Sequence, residues 1–163
     1  MNDIYWTRDA TQHARAMPPD RIMALECAAC PLMHLPEPAS IPVTQTSPDT
    51  FELCCRGLTL SVAWSFSDAR VVVLACGHRD IRAPGDLSND VLIPHDVVIR
   101  VLRGASCARA WREYLRVTQH DLARRLGVSQ PTLSASERTD HLRRRTLERL
   151  AHALDISEQQ LVF

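Results

Sequence analysis

The 163-residue chain contains no lysine, and all 19 of its basic residues are arginine. A GC-rich genome is a sufficient explanation, because arginine codons are richer in G and C than lysine codons. Two other features that the sequence lacks argue against a membrane protein and against a secreted protein. The chain has no long uncharged apolar run, which argues against a membrane span and for a soluble globular protein. Its first residues, 1–6, lack the basic-then-apolar pattern of a secretory signal, so we expect a cytoplasmic location.

Charge is balanced overall but unevenly distributed. The formal net charge is zero, which argues against indiscriminate nucleic-acid binding. Residues 1–84 carry 7 arginines and 9 acidic residues, whereas residues 105–163 carry 10 arginines and 7 acidic residues. The length allows one large or two small domains. This distribution favours a slightly acidic N-terminal domain joined to a basic module that suits DNA.

The six cysteines suggest a metal site only weakly. Cys27 and Cys30 have the spacing of a ligand pair, and Cys54 with Cys55 could complete a set. Adjacent residues on a strand point to opposite faces, however, so Cys54 and Cys55 could not easily reach one ion. Cys27 and Cys30 also fit one face of an apolar helix. We therefore predict reduced core cysteines, no metal and no cofactor.

The most informative segment spans residues 118–137. Thr118 is a good N-cap for a helix, and Asp121 falls at the third helical position, where a carboxylate is favourable. Gly127 falls where a helix needs a left-handed residue to end. Ser129 can cap a second, short helix with Pro131 in its first turn. An apolar stripe on the first helix is formed by Leu122, Ala123 and Leu126.

These residues, together with Gln119, Val128 and Glu137, resemble the Cro/repressor-type (XRE) helix-turn-helix domain. The resemblance extends from about residue 105 to residue 161. It implies an all-α domain of five helices, with flanking helices at 110–115, 142–154 and 157–161. An ordinary helical hairpin with a chance glycine is the alternative, which the number of matching positions disfavours.

In that resemblance the second helix, which begins after Ser129, enters the major groove of DNA. Gln130 is the residue best suited to a specific base contact, because its amide can pair bidentately with adenine. Gln119 and Ser129 would position the phosphate backbone from helix N-termini. The predicted DNA-binding residues are Gln119, Ser129, Gln130, Thr132, Ser134, Arg138, Arg143, Arg144 and Arg145. The three consecutive arginines alone would also fit a solvated helix face.

The residues before this domain and in its first helix resemble one branch of the family more specifically. Ile93–Val98, Leu102, Gly104 and Ala110–Glu113 are similar to the antitoxin branch of the family, whose members neutralise a small RNA-cleaving toxin and repress their own operon. A proline that starts an amphipathic helix also explains Pro94 on structural grounds alone.

The N-terminal half predicts an α+β domain. Residues 4–7 fit a strand, 8–17 and 19–30 fit two helices, and residues 31–50, with five prolines, fit an irregular connection. Residues 50–55, 58–66 and 70–76 then fit a three-strand antiparallel meander.

This order of elements, with Gly77-His78-Arg79 after the last strand, resembles the RelE/ParE-type toxin fold over residues 3–82. An active ribonuclease of that kind needs basic groups near the phosphate and a proton-transfer residue. Here residues 34–50 contain no arginine, Thr59 stands where an arginine is usual, and Arg82 stands where a tyrosine often follows. We therefore predict a toxin-like scaffold without catalysis. If activity persisted, Arg79, His78 and Arg82 would carry it.

The sequence thus predicts a toxin-like domain at 1–84, a linker at 85–94 and a helix-turn-helix domain at 95–163. The expected function is transcriptional regulation, in the form of a nucleoid-associated repressor that binds a double-stranded DNA operator as a homodimer. Two alternatives stay open. One is a ribosome-dependent mRNA endoribonuclease inhibited by its own antitoxin domain. The other is an interaction protein that binds a toxin or another regulator.

Overall fold

The computed structural model describes residues 3–33, 43–47, 50–55, 58–65, 70–76 and 90–163. The chain divides after His95 into two compact units. The first contains β1 (Asp3–Thr7), α1 (Arg8–Arg15), a 3-10 turn (Pro19–Arg21), α2 (Ile22–Met33), β2 (Val43–Ser47), β3 (Thr50–Cys55), β4 (Leu58–Ser65), β5 (Arg70–Cys76) and β6 (Leu92–Pro94).

A six-stranded sheet organises the first unit, in the order β2-β3-β4-β5-β1-β6. Strands β2 to β5 pair antiparallel in sequence order. Strand β1 pairs parallel to β5 and antiparallel to β6. The chain must therefore cross from β1 back to the start of the meander, and the helices α1 and α2 occupy that connection.

Apolar residues from helices and strands form the core of this unit. Trp6 on β1 is 1% exposed and pairs in register with Ile93 on β6, which is fully buried. The Thr7 side chain caps α1 by accepting a hydrogen bond from the Ala10 backbone N–H at 3.2 Å. Small residues on α1, Ala10 and Ala14, are fully buried or nearly so. This helix can therefore approach the sheet closely.

The predicted α+β class is correct, and the described strands and helices occur in the expected order. The prediction of an irregular connection at 31–50 was wrong in two places. Helix α2 continues to Met33, and residues 43–47 form strand β2, so the antiparallel meander has four strands instead of three. Residues 85–89 of the predicted linker at 85–94 lie outside the described residues, and the last three residues of that linker form β6.

The second unit is helical. It contains α3 (His95–Leu102, which starts at the boundary), α4 (Cys107–Tyr114), α5 (Gln119–Leu126), α6 (Gln130–Ser136), α7 (Arg144–Leu154) and a 3-10 turn (Glu158–Gln160). The four helices and the final turn agree with the five helical segments predicted after residue 105, although the last is a 3-10 turn. Its core includes Trp111, Leu122, Leu133, Leu150, Leu154 and Leu161.

None of the described helices combines the length and the apolar character that a membrane crossing needs.

Candidate nucleic-acid interface

Helix α5 begins at a side-chain cap, as predicted. Thr118 Oγ1 accepts a hydrogen bond from the Asp121 backbone N–H at 3.0 Å and donates one to Asp121 Oδ2 at 2.7 Å. The hydrogen bond from the Thr118 hydroxyl lowers the pKa of the Asp121 carboxyl, and the nearby Arg124 guanidinium lowers it further. An ionised carboxylate in the first turn interacts favourably with the positive end of the helix dipole. Both sequence positions therefore define where this helix starts.

Gly127 ends α5 in a left-handed conformation, with φ 65° and ψ 33°. The Val128 backbone N–H donates a hydrogen bond to the Ala123 carbonyl at 3.0 Å, as in a Schellman motif. No atom lies within 4 Å of a Cβ placed on Gly127. The glycine is therefore favoured by the left-handed backbone conformation and not by a lack of space, and it sets the direction in which the chain enters the next helix.

Helix α6 follows after an interval of three residues, 127–129. The Ser129 hydroxyl accepts a hydrogen bond from the Thr132 backbone N–H at 3.3 Å, and Pro131 occupies the first turn. Leu133 is 1% exposed and anchors the inner face of the helix. The remaining residues of the seven-residue helix are exposed or half-buried, so α6 presents one whole face to the surroundings.

A buried ion pair fixes the end of α6 against α4. Glu137 is 5% exposed and accepts two hydrogen bonds from Arg112, Nε to Oε1 at 2.5 Å and Nη2 to Oε2 at 3.1 Å. Gln119 Nε2 donates a third to Glu137 Oε2 at 2.8 Å. The Ser106 hydroxyl donates to the Glu137 carbonyl at 2.8 Å. One carboxylate thus joins α4, α5 and the end of α6, and sets how α6 is presented.

Sequence reasoning identified Glu137 as part of the family pattern but missed Arg112 as its partner. The two residues lie 25 positions apart, so no local rule pairs them. One signal was available: Arg112 follows Trp111 in a helix with a continuous apolar face. A charged residue at such a position needs a buried partner of opposite charge.

The predicted base-contacting residues differ in how they are presented. Gln130 and Thr132 are exposed, whereas Ser134 is half-buried. Ser129 is exposed, and its hydroxyl also shares a 2.8 Å hydrogen bond with Thr132 Oγ1. Gln119 is half-buried, and one of its two amide N–H groups donates a hydrogen bond to Glu137. The second amide N–H can still donate to another acceptor. Among these residues, Gln130 has the exposed amide that a base contact requires.

The predicted phosphate-binding arginines all lie in the segment between α6 and α7 or at the start of α7. Arg138, Arg143, Arg144 and Arg145 are exposed. Arg143 is the N-cap residue of α7, and Arg144 pairs with Glu148 at 3.0 Å one turn along the helix. Arg143, Arg144 and Arg145 give the start of α7 a positive charge. Glu148 neutralises part of the charge of Arg144.

Two further arginines link α5 and α7 at their C-terminal ends. Arg125 on α5 donates to the Ala153 carbonyl at 3.1 Å, and Arg149 on α7 donates to the Leu126 carbonyl. Carbonyl groups at helix C-termini lack partners within the helix, and cations there are favourable. These reciprocal bonds help to hold α5 against α7.

The residues predicted for catalysis, and half of those weighed as metal ligands, fall outside the part of the chain that the structure describes. His78, Arg79 and Arg82 lie outside the described residues. Cys27 is half-buried and Cys54 is exposed, while the side chains of Cys30 and Cys55 lie outside the described set. Within the described ranges, no three His, Cys, Asp or Glu side chains converge as metal ligands would.

The geometry agrees with a known domain family. Residues 105–162 match the family model of a helix-turn-helix domain, and this match includes α4 to α7 and the final 3-10 turn. The first unit lies outside the match. No curated protein and no solved structure matches the chain. Residues 105–162 therefore form a helix-turn-helix domain, in which α5, the turn at Gly127 and α6 are the motif itself.

Proposed function

We propose that the protein is a sequence-specific DNA-binding transcriptional regulator of the Cro/repressor type, acting as a repressor with antitoxin-like autoregulation. The observation that carries this proposal is the presentation of α6. Its start is fixed by Gly127 and the Ser129 cap, its end is fixed by buried Glu137, and its outer face is open. A short, rigidly held helix with one open face is what major-groove reading requires.

The surrounding charges support the same proposal. Arg138 and the arginines at 143–145 lie on the chain that follows α6, where they can contact phosphates beside the groove. Gln119 and Ser129 would contact phosphates from the starts of α5 and α6. Phosphate contacts position the protein and carry no sequence information, so specificity is left to the exposed face of α6.

Selection from random DNA tests the function. The full chain would be incubated with random duplexes, and the bound fraction amplified and sequenced over several rounds. Domains of this kind act as dimers, so we expect an enriched motif with two related half-sites about 10 base pairs apart. A bound pool as random as the input would contradict the proposal.

The salt dependence of binding tests the arginines. Replacing Arg143, Arg144 and Arg145 with alanine should flatten the log–log slope of affinity against salt by about one unit for each arginine that binds a phosphate, with a similar effect from Arg138→Ala. The matched control is Arg109→Ala, an exposed arginine of α4 that pairs with Glu113. Titrations on one duplex at several salt concentrations supply the slopes. If the triple variant had the slope of the unchanged protein, these arginines would be a solvated face only.

For the N-terminal unit, we propose a RelE/ParE-like scaffold that has lost catalysis and serves dimerisation or binding of a toxin or other regulator. The order of one strand, two helices and an antiparallel meander supports the resemblance. The absence of arginine from residues 34–50 supports the loss of activity. In this proposal the protein is not an enzyme, and it acts in the cytoplasm at the nucleoid.

Growth of a bacterial host tests the loss of catalysis. Because β6 pairs with β1, the expressed fragment should include residues 1–95 and not end at residue 84. We expect normal growth, since too few basic groups are available to neutralise the phosphate in the transition state. Growth arrest by this fragment that disappears with Arg79→Ala would contradict the proposal and favour the ribosome-dependent ribonuclease.

A further inference from the structure

The outward face of α6 is centred on two apolar residues. Pro131 and Ala135 are both exposed and lie four positions apart, so they stand on the same side of the helix. Buried Leu133 and Glu137 occupy the opposite side. The middle of the face that would meet DNA therefore carries no side-chain hydrogen-bond donor or acceptor.

Three of the four hydroxyl groups at α6, those of Ser129, Thr132 and Ser136, are engaged within the helix, and the fourth residue, Ser134, is half-buried. Thr132 Oγ1 lies 2.8 Å from Ser129 Oγ, with one of the two hydroxyls donating to the other. Ser129 Oγ also accepts the Thr132 backbone N–H, and Ser136 Oγ donates to the Thr132 carbonyl at 3.1 Å. These hydroxyls are directed along the backbone of α6. The exposed amide of Gln130, at the helix start, is thus the main polar group available for a base edge.

Base pairs differ in apolar groups as well as in donors and acceptors. In the major groove, thymine presents a 5-methyl group that cytosine lacks, and small apolar side chains recognise it by contact. Resting on the proposed DNA-binding function, we propose that Pro131 and Ala135 determine specificity by contacting thymine methyl groups. The ligand class is duplex DNA with thymines at the positions that face the middle of α6, next to the base contacted by Gln130.

Removal of single methyl groups from the DNA tests this proposal. The duplex recovered by selection with the full chain is synthesised with deoxyuridine in place of thymidine, one position at a time. Deoxyuridine pairs as thymidine does and lacks only the methyl group. Removing one methyl group that is buried against α6 should weaken binding roughly fourfold, at one or two positions in each half-site.

Variants of the protein assign the contact to α6. Ala135→Gly removes the Cβ methyl, and the ratio of affinities for thymidine and deoxyuridine duplexes should then fall to about one at the position that Ala135 contacts. The ratio is taken within each variant, so the intrinsic cost of glycine in a helix, about 1 kcal/mol, cancels. Ala153→Gly on α7 is the matched control and should keep the fourfold ratio.

The outcomes separate this inference from the proposed function. If selection yields a specific motif but no deoxyuridine substitution changes affinity, methyl reading by α6 is wrong and the regulator proposal stands. The assignment to Ala135 is also wrong if every deoxyuridine substitution that weakens binding of the unchanged protein weakens binding equally in the Ala135→Gly variant. If selection yields no motif, the proposed function itself fails.

Discussion

Replacing Glu137 with alanine should destabilise the helix-turn-helix domain by about 3–5 kcal/mol, because it leaves the charge of a buried partner uncompensated. The Arg112 side chain is only 10% exposed, and two of its hydrogen bonds end on Glu137. The Gln119 amide would lose its acceptor as well. Hydrogen exchange of the Leu122 and Leu126 backbone amides, which lie within α5, measures this destabilisation in the full chain.

The neighbouring ion pair supplies the control. Glu113 pairs with Arg109 at 2.8 Å and lies 3.6 Å from Arg112 Nη2, but the side chains of Glu113 and Arg109 are 33% and 55% exposed. Exposed pairs contribute about 0.2–1 kcal/mol, so Glu113→Ala should have a much smaller effect than Glu137→Ala. Equal destabilisation in the two variants would show that Glu137 does not hold the motif together. Replacing Arg112 and Glu137 together with apolar residues should recover much of the stability, since no charge is then left buried.

Replacing Gln130 with alanine should weaken binding to the selected site by about 1–3 kcal/mol and relax specificity at one base pair. The physical reason is that a glutamine amide can donate to and accept from one adenine edge, and alanine can do neither. Competition binding against duplexes with each base at each position measures both effects. Gln159→Ala is a suitable control, because Gln159 is also exposed but lies in the final 3-10 turn. An equal reduction of affinity on every duplex would exclude a specific base contact.

The helix boundaries of the motif could be predicted because their causes are local. A threonine or serine cap and a left-handed glycine act on backbone groups within three or four residues. Thr118, Gly127 and Ser129 therefore have the predicted roles in the structure.

Strand β2 could not be predicted in the same way. Five prolines between residues 31 and 50 indicated an irregular segment, yet Pro42 and Pro48 only flank Val43–Ser47. Strand β2 lies at the edge of the sheet, where proline is tolerated because a missing N–H leaves no neighbouring strand unpaired. Whether a polar segment such as this one becomes an edge strand depends on the strand beside it and not on its own residues.

The side chains of α6 that are available for base contacts could be predicted only in part. The sequence indicates that Thr132 and Ser134 are short and polar, and so suited to base edges. It does not show that Ser134 is half-buried or that the Thr132 hydroxyl is bonded to Ser129. Serine and threonine hydroxyls compete between backbone and ligand, and the choice depends on the cap geometry. The chemistry available at the interface is therefore narrower than the composition of α6 implies.

Sequence-specific binding is tested most directly by the ratio of two dissociation constants for the full chain. One is measured on the selected duplex and the other on a duplex of the same composition in scrambled order, at one salt concentration. Specific regulators bind their sites roughly 1,000-fold or more tightly than other DNA, and we expect a ratio in that range. Equal affinity for both duplexes would contradict sequence-specific binding by the helix-turn-helix domain.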